Sequence, residues 1–189
     1  MAWREPLFLT NDDGIDAAGL HRLIQILHAR GHPLAILAPA QQQSASAMRL
    51  SLKKELRFTD RNDLILSLDL DPNGPPIRIF SLDGSPCDCT IVAIDQGFES
   101  WAQMIRPQLC ISGINFGPNI SIDVIHSGTV SAAKEAALYG MPAIALSLGT
   151  YLHEDFSIAT EAILELIDRA LLVANEEPTN LMRTRGSKH

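Results

Sequence analysis

Nowhere does the sequence hold an apolar run approaching the ~20 residues that a membrane-spanning helix needs. Its first six residues, Met1 to Pro6, carry one Arg and one Glu ahead of only a short apolar stretch, so no secretory signal is expected. Positive charge is not in excess either. The formal charge of −7 argues against non-specific binding to DNA, RNA or an anionic membrane. Cysteine is scarce, with three in the chain, and Cys87 and Cys89 stand too close together for an unstrained bridge. They read as free thiols of a cytoplasmic protein. A Cys-x-Cys metal site would need a second cysteine pair, which is missing.

Several familiar signatures are also absent. No Gly-x-Gly-x-x-Gly follows the first predicted strand, which sets aside a dinucleotide-dependent oxidoreductase. Lys134 lacks the glycine spacing of a phosphate-binding P-loop. His21, His28 and His32 fall on or just after one predicted helix and give no convincing zinc-ligand spacing. There is no internal repeat. What is present is ordinary globular material, 46% hydrophobic and 20% charged over 189 residues. That length fits one domain, expected over 1–175, followed by a polar, flexible tail over 176–189.

Leu7 to Thr10 reads as a buried strand stopping in the turn Asn11-Asp12-Asp13-Gly14. Leu20, Leu23, Ile24 and Leu27 then recur at helical spacing, with Gly31 at the expected stop, and Leu34 to Leu37 forms a second strand. Strand, helix and strand over this length make a βαβ unit. The middle alternates: Leu50 to Phe58, Leu64 to Leu70 and Ile77 to Leu82 are expected as short, partly antiparallel strands. Ser85-Pro86 opens a predicted helix, as N-cap and first helical residue. Leu109 to Ile111 is a strand, a polar loop runs through His126, and a helix spans about Thr129 to Tyr139. Ala143 to Leu148 is a further strand, and Ile158 to Leu171 carries an apolar helical stripe. The alternation predicts an α/β sheet with helices on both faces.

In such sheets, ligands gather beyond the carboxyl ends of the strands. Three polar segments follow strands here: Asn11 to Gly14, Ala38 to Ser44, and Ser112 to Thr129. Each alone reads as a turn; together they bring oxygen ligands to one edge. Adjacent carboxylates at Asp12 and Asp13 repel unless a cation or donors compensate. Either one of them caps the following helix, or both reach one hard divalent ion, magnesium or manganese, with Ser and Asn oxygens completing its shell. Ser127-Gly128-Thr129 before a helix offers N–H groups and hydroxyls to an anion, or simply caps the helix.

The run Leu9 to Leu20, Ala38-Pro39 with Ser44, Asp83 to Cys89, Ser112-Gly113-Ile114-Asn115-x-Gly-x-Asn119, and Ser127-Gly128-Thr129-Val130 closely resemble, in order, the signatures of the SurE (survival protein) nucleotidase family. The resemblance implies a Rossmann-like three-layer α/β/α fold with a mostly parallel sheet. It implies Asp12, Asp13, Ser44 and Asn115 as holders of one divalent ion per subunit, Mg²⁺ or Mn²⁺, with Asp13 as a candidate catalytic residue. It places Asn119, Ser127, Gly128 and Thr129 around the phosphate. The implied activity is hydrolysis of nucleoside 5′- (and 3′-) monophosphates by a homodimer or tetramer, attack coming from water or from Asp13. Two departures stand out. The family continues past this length through a further strand, so the C-terminal part is expected to be shortened, and the family's Gly and His after Ser44 are replaced by Ala45-Ser46-Ala47-Met48. The rival reading is a non-catalytic relative that binds metal and nucleotide without turnover.

Overall fold

Leu7–Thr10 (β1) is buried at every position, the pattern of a strand covered on both faces. A computed structural model of the protein describes residues 3–176 and places β1 at the middle of a six-stranded sheet. The other strands are β2 (Leu34–Pro39), β3 (Phe58–Asp60), β4 (Ile77–Leu82), β5 (Leu109–Asn115) and β6 (Ala143–Ser147). Their order across the sheet is β3-β4-β2-β1-β5-β6, and every pair is parallel except β3 with β4. The helices are α1 (Ala18–Ala29), α2 (Asp63–Ser67), α3 (Pro86–Asp95), α4 (Phe98–Trp101), α5 (Asp123–His126), α6 (Gly128–Leu138) and α7 (Ser157–Glu176).

Alternate residues of the central strands feed two cores, one on each face. Leu7, Leu9, Leu34, Ile36, Leu109 and Ile111 join the stripe of α1 and Ile163, Ile167 and Leu171 of α7. Phe8, Ala35, Leu37 and Cys110 point the other way, toward Cys89 and Ala93 of α3, Phe98 of α4 and Ala136 of α6. The result is three layers, α/β/α. Close approach is needed where α1 meets β5: a Cβ on Gly19 would stand 2.1 Å from the Ile114 carbonyl oxygen.

The middle of the chain differs from its expected reading. Leu64 to Leu70 contains the short helix α2 rather than a strand. Leu64 and Leu68 stand one turn apart and both reach the α1 core, a spacing that favours a helical turn over alternation. Leu50 to Arg57 forms no strand, and only Phe58–Asp60 pairs antiparallel. β4 is parallel to β2 along its length. The polar loop before α6 contains the one-turn helix α5. The tail expected over 176–189 lies, after Glu176, outside the described residues. No helix among the described residues is long and apolar enough to cross a membrane.

Candidate metal and phosphate site

The chain leaves β1 toward β2 on one side, and β5 later pairs with β1 on the other. That reversal makes the carboxyl ends of β1 and β5 a topological switch point, where open α/β sheets have their ligand crevice. Thr10 is in register with Ser112, so Asp12 and Asp13 leave β1 beside the last residues of β5, which ends at Asn115.

The turn that carries the two carboxylates is built locally. Asn11 donates from Nδ2 to the Gly14 carbonyl at 2.8 Å and accepts the Gly14 N–H at 3.2 Å. Gly14 has φ of 99°, and a Cβ there would meet the Gln41 backbone at 3.2 Å, so both conformation and space favour glycine. Gln43 N–H donates to the Asp12 carbonyl at 2.7 Å, which lays the segment after β2 over the turn.

Asp12 and Asp13 diverge. The buried Asp12 carboxylate accepts a short hydrogen bond from the Thr129 hydroxyl, which also approaches Asn115 Oδ1 at 3.2 Å. Asp12 thus faces the start of α6, while α1 has Ala17 as its N-cap residue and no side-chain cap. Asp13 is half-buried; its Oδ2 accepts the Phe116 N–H at 2.9 Å, and Gln42 Nε2 lies 3.4 Å from its Oδ1. Burial pushes the Asp12 carboxyl above the usual carboxylate range, against the Thr129 hydrogen bonds and with the help of the Asp13 charge. An ionised Asp12 therefore gains from a nearby cation.

Among the described residues, no three His, Cys, Asp or Glu side chains converge as a metal cluster. Any ion between Asp12 and Asp13 must complete its shell with neutral oxygens, and Asn115 Oδ1 is at hand through Thr129. Ser44 lies one residue beyond the Gln43 contact and is exposed. An all-oxygen set of this kind suits a hard cation. The three histidines of the first βαβ unit serve elsewhere. His21, His28 and His32 bond the carbonyls of Ile15, Pro75 and Glu5 at 2.9, 3.0 and 2.8 Å.

At the start of α6, Ser127 caps the helix by accepting the Val130 N–H at 3.1 Å, which leaves its own proton free to donate. The proton of Thr129 is committed to Asp12. Asn119 donates from Nδ2 to Ser147 Oγ at 2.8 Å, with its second N–H remaining. A Cβ on Gly128 would stand 2.5 Å from Ser46 Oγ and 2.9 Å from Asp12 Oδ2, so glycine is what lets these groups approach. Ser46 was not singled out by sequence. Its Oγ is buried without a hydrogen-bond partner, a property no spacing reveals.

A groove of about 940 Å³ opens elsewhere, between Pro107, Pro142 and Ala143 at the amino ends of β5 and β6 and Leu166, Ala170 and Val173 of α7. It is mainly apolar and far from the carboxylates. The three cysteines are free and buried, and burial pushes the Cys87 thiol up to about 12, with help from Glu135 and Asp88.

Comparison with known proteins bears on this site. The 5'-nucleotidase SurE of Carboxydothermus hydrogenoformans is 38% identical over 168 residues, covering 87% of this chain and 58% of the relative. That of Prochlorococcus marinus (strain MIT 9211) is 34% identical over 165 residues, covering 87% and 56%. The crystal structure of SurE protein from Aquifex aeolicus superposes with a TM-score of 0.70 at 26% identity, over 88% of this chain and 60% of that one. The chain thus spans a little under 60% of the length of these curated relatives. The family model described as Survival protein SurE matches residues 7–184, nearly the whole sequence, and with that match the chain belongs to the SurE family.

Proposed function

We propose that this protein is a divalent-metal-dependent phosphomonoester hydrolase that acts on nucleoside 5′-monophosphates, and on 3′-monophosphates as well. One observation carries the reading: Asp12 is a buried carboxylate beside a second acid at the switch point, where among the described residues no third His, Cys, Asp or Glu joins them and Asn115 Oδ1 offers a neutral oxygen. Asp12, Asp13, Ser44 and Asn115 would hold one Mg²⁺ or Mn²⁺ per subunit. When bound, such an ion supplies Lewis-acid polarisation of a phosphoryl oxygen.

The chain's own residues divide the remaining work. Thr129 orients Asp12 through its hydroxyl, and Asn115 is held through its Nδ2, which donates to the Gly117 carbonyl at 2.7 Å. Ser127, the Gly128 N–H at the start of α6, and Asn119 face the phosphoryl oxygens and stabilise the charge that develops there. Water attacks phosphorus in this reading. Asp13 stands beside it with Oδ2 held by Phe116 N–H and the less engaged Oδ1 free to accept a proton. Residues 1–175 act as one domain, in a homodimer or tetramer in the cytoplasm, a location that three buried free thiols favour.

A second reading is a relative that binds metal and nucleotide without turnover; the Asp12 and Asp13 carboxylates already accept hydrogen bonds from Thr129 and Phe116. Release of inorganic phosphate from AMP or GMP with Mn²⁺, with and without EDTA, separates the two. We expect EDTA-sensitive release. A folded sample without metal-dependent release would leave the binding reading, and mass measurement of the assembly would report its subunit count.

A further inference from the structure

The segment after β2, residues 43–51, runs beside the candidate site in a conformation that it does not prefer. Ala45 and Ala47 have φ of 53° and 46°, a left-handed backbone that alanine rarely adopts, and Ser46 between them buries an unpartnered hydroxyl. Strain of this kind persists only where the surroundings over-determine it. The surroundings are in place on three sides. Ala47 N–H donates to the His126 carbonyl at 3.0 Å, and Gln43 N–H to that of Asp12 at 2.7 Å. The third side is the start of α3.

There Ser51 donates to Asp88 twice, from its N–H to Oδ1 at 3.0 Å and from its hydroxyl to Oδ2 at 2.7 Å. Ser85 Oγ donates to the Arg49 carbonyl at 2.5 Å, and Cys87 Sγ lies 3.9 Å from that of Ala47. Asp88 also closes the capping box, accepting the Ser85 N–H at 2.8 Å. One buried carboxylate therefore fastens both the helix and the far end of the strained segment.

We propose that Asp88 is a positioning residue for the metal site. It touches neither metal nor substrate; through Ser51 and Ser85 it holds residues 44–47 in their left-handed course, so that Ser44 and Ser46 stay beside Asp12. This rests on the reading of Asp12, Asp13, Ser44 and Asn115 as metal ligands. Partners that orient metal ligands typically change metal affinity by about 10- to 100-fold when replaced.

The test is Mn²⁺ affinity of the full chain, measured by titration calorimetry, with amide hydrogen exchange over 45–51. In Asp88→Asn we expect Mn²⁺ binding about tenfold weaker, together with faster exchange over that segment. Ser51→Ala, which leaves the helix cap intact, should shift both in the same direction by about threefold, in case Asp88→Asn folds poorly. Glycine accepts the left-handed conformation without penalty. Ala45→Gly with Ala47→Gly in the Asp88→Asn background should therefore recover most of the lost affinity, a rescue that a merely structural cap would not give. Wild-type Mn²⁺ affinity in folded Asp88→Asn or Ser51→Ala, or no recovery with the glycines, overturns the role of Asp88. Absence of Mn²⁺ binding by the unaltered protein overturns the metal-site reading instead, so the two failures are told apart.

Discussion

Helices α3 and α6 begin alike. Each has a serine N-cap, Ser85 or Ser127, each takes an aspartate carboxylate near its first turn, and each touches the segment between Gln43 and Ser51. Their chemistry then parts. The carboxylate of α3 is its own: Asp88 lies three residues along, and its oxygens take the hydrogen bonds of Ser85 and Ser51. The carboxylate of α6 comes from the turn after β1, 117 residues from Thr129 in the chain. It arrives with a second acid beside it, and an unpartnered Ser46 hydroxyl lies close by. A helix start with its donors and acceptors matched is a fastening. One left with surplus acid and spare donors is fit for a ligand.

The comparison can be broken experimentally, and the largest effect falls on the α6 side. Asp12→Asn should lower Mn²⁺-dependent phosphate release by at least about 100-fold, a loss of the size seen when a metal or transition-state contact is removed. The same variant should unfold in urea no earlier than the parent, because burial already opposes the Asp12 charge. Asp88→Ala should do the reverse to stability, lowering it by about 2 kcal/mol as a cap and buried hydrogen bonds are lost. Equal urea midpoints for Asp88→Ala and the parent would break the contrast.

Glycine offers a subtler probe of the two starts. Gly128→Ala places a methyl 2.5 Å from Ser46 Oγ and 2.7 Å from Asp12 Cβ, and should weaken inorganic phosphate binding by about tenfold. Gly84→Ala meets Asp88 Cβ at 3.0 Å and should lower stability by about 1 kcal/mol, with a smaller effect on phosphate binding than Gly128→Ala. The smallest effect is in the pH dependence. Burial raises the Asp88 carboxyl, but hydrogen bonds from Ser51 and Ser85 outweigh it and hold it below the ordinary value of 3.8. A depressed folded-state value means that the contribution is present above 3.8 and is lost as pH falls through the folded value. The stability gap between the parent and Asp88→Asn should accordingly be constant near neutrality and shrink only below about pH 4, as urea melts at stepped pH would report.

Much of this was legible in residues. Complete burial on both faces makes β1 and β2 continuous apolar runs, and the Ser85-Pro86 opening of α3 announces itself through cap chemistry that is local in sequence. Leu64 to Leu70 misled because a short apolar run carries both periodicities, and the choice fell to where Leu64 and Leu68 find a core. β5 extends past its apolar stretch through Ser112, Gly113 and Asn115, since neighbours on both sides supply its ladder. At the site, Asp12 and Asn115 were foreseeable as neighbours from the strand ends. The hydroxyl of Thr129 between them, and the strained course of Ala45 to Ala47, depend on contacts distant in sequence and leave no local trace.

Among the described residues β6 forms one outer edge of the sheet, and its end is tied to the site. Leu148 N–H donates to the Asn115 carbonyl at 2.9 Å, and Ser147 Oγ accepts from Asn119 at 2.8 Å. Two of the residues proposed for metal and phosphate, Asn115 through its main chain and Asn119 through its side chain, are thus one hydrogen bond from the sheet's rim. Those two bonds couple the rim of the sheet to the candidate site. A substitution that loosens the end of β6 should therefore disturb Asn115 and Asn119 before it disturbs Asp12, which lies a strand further in.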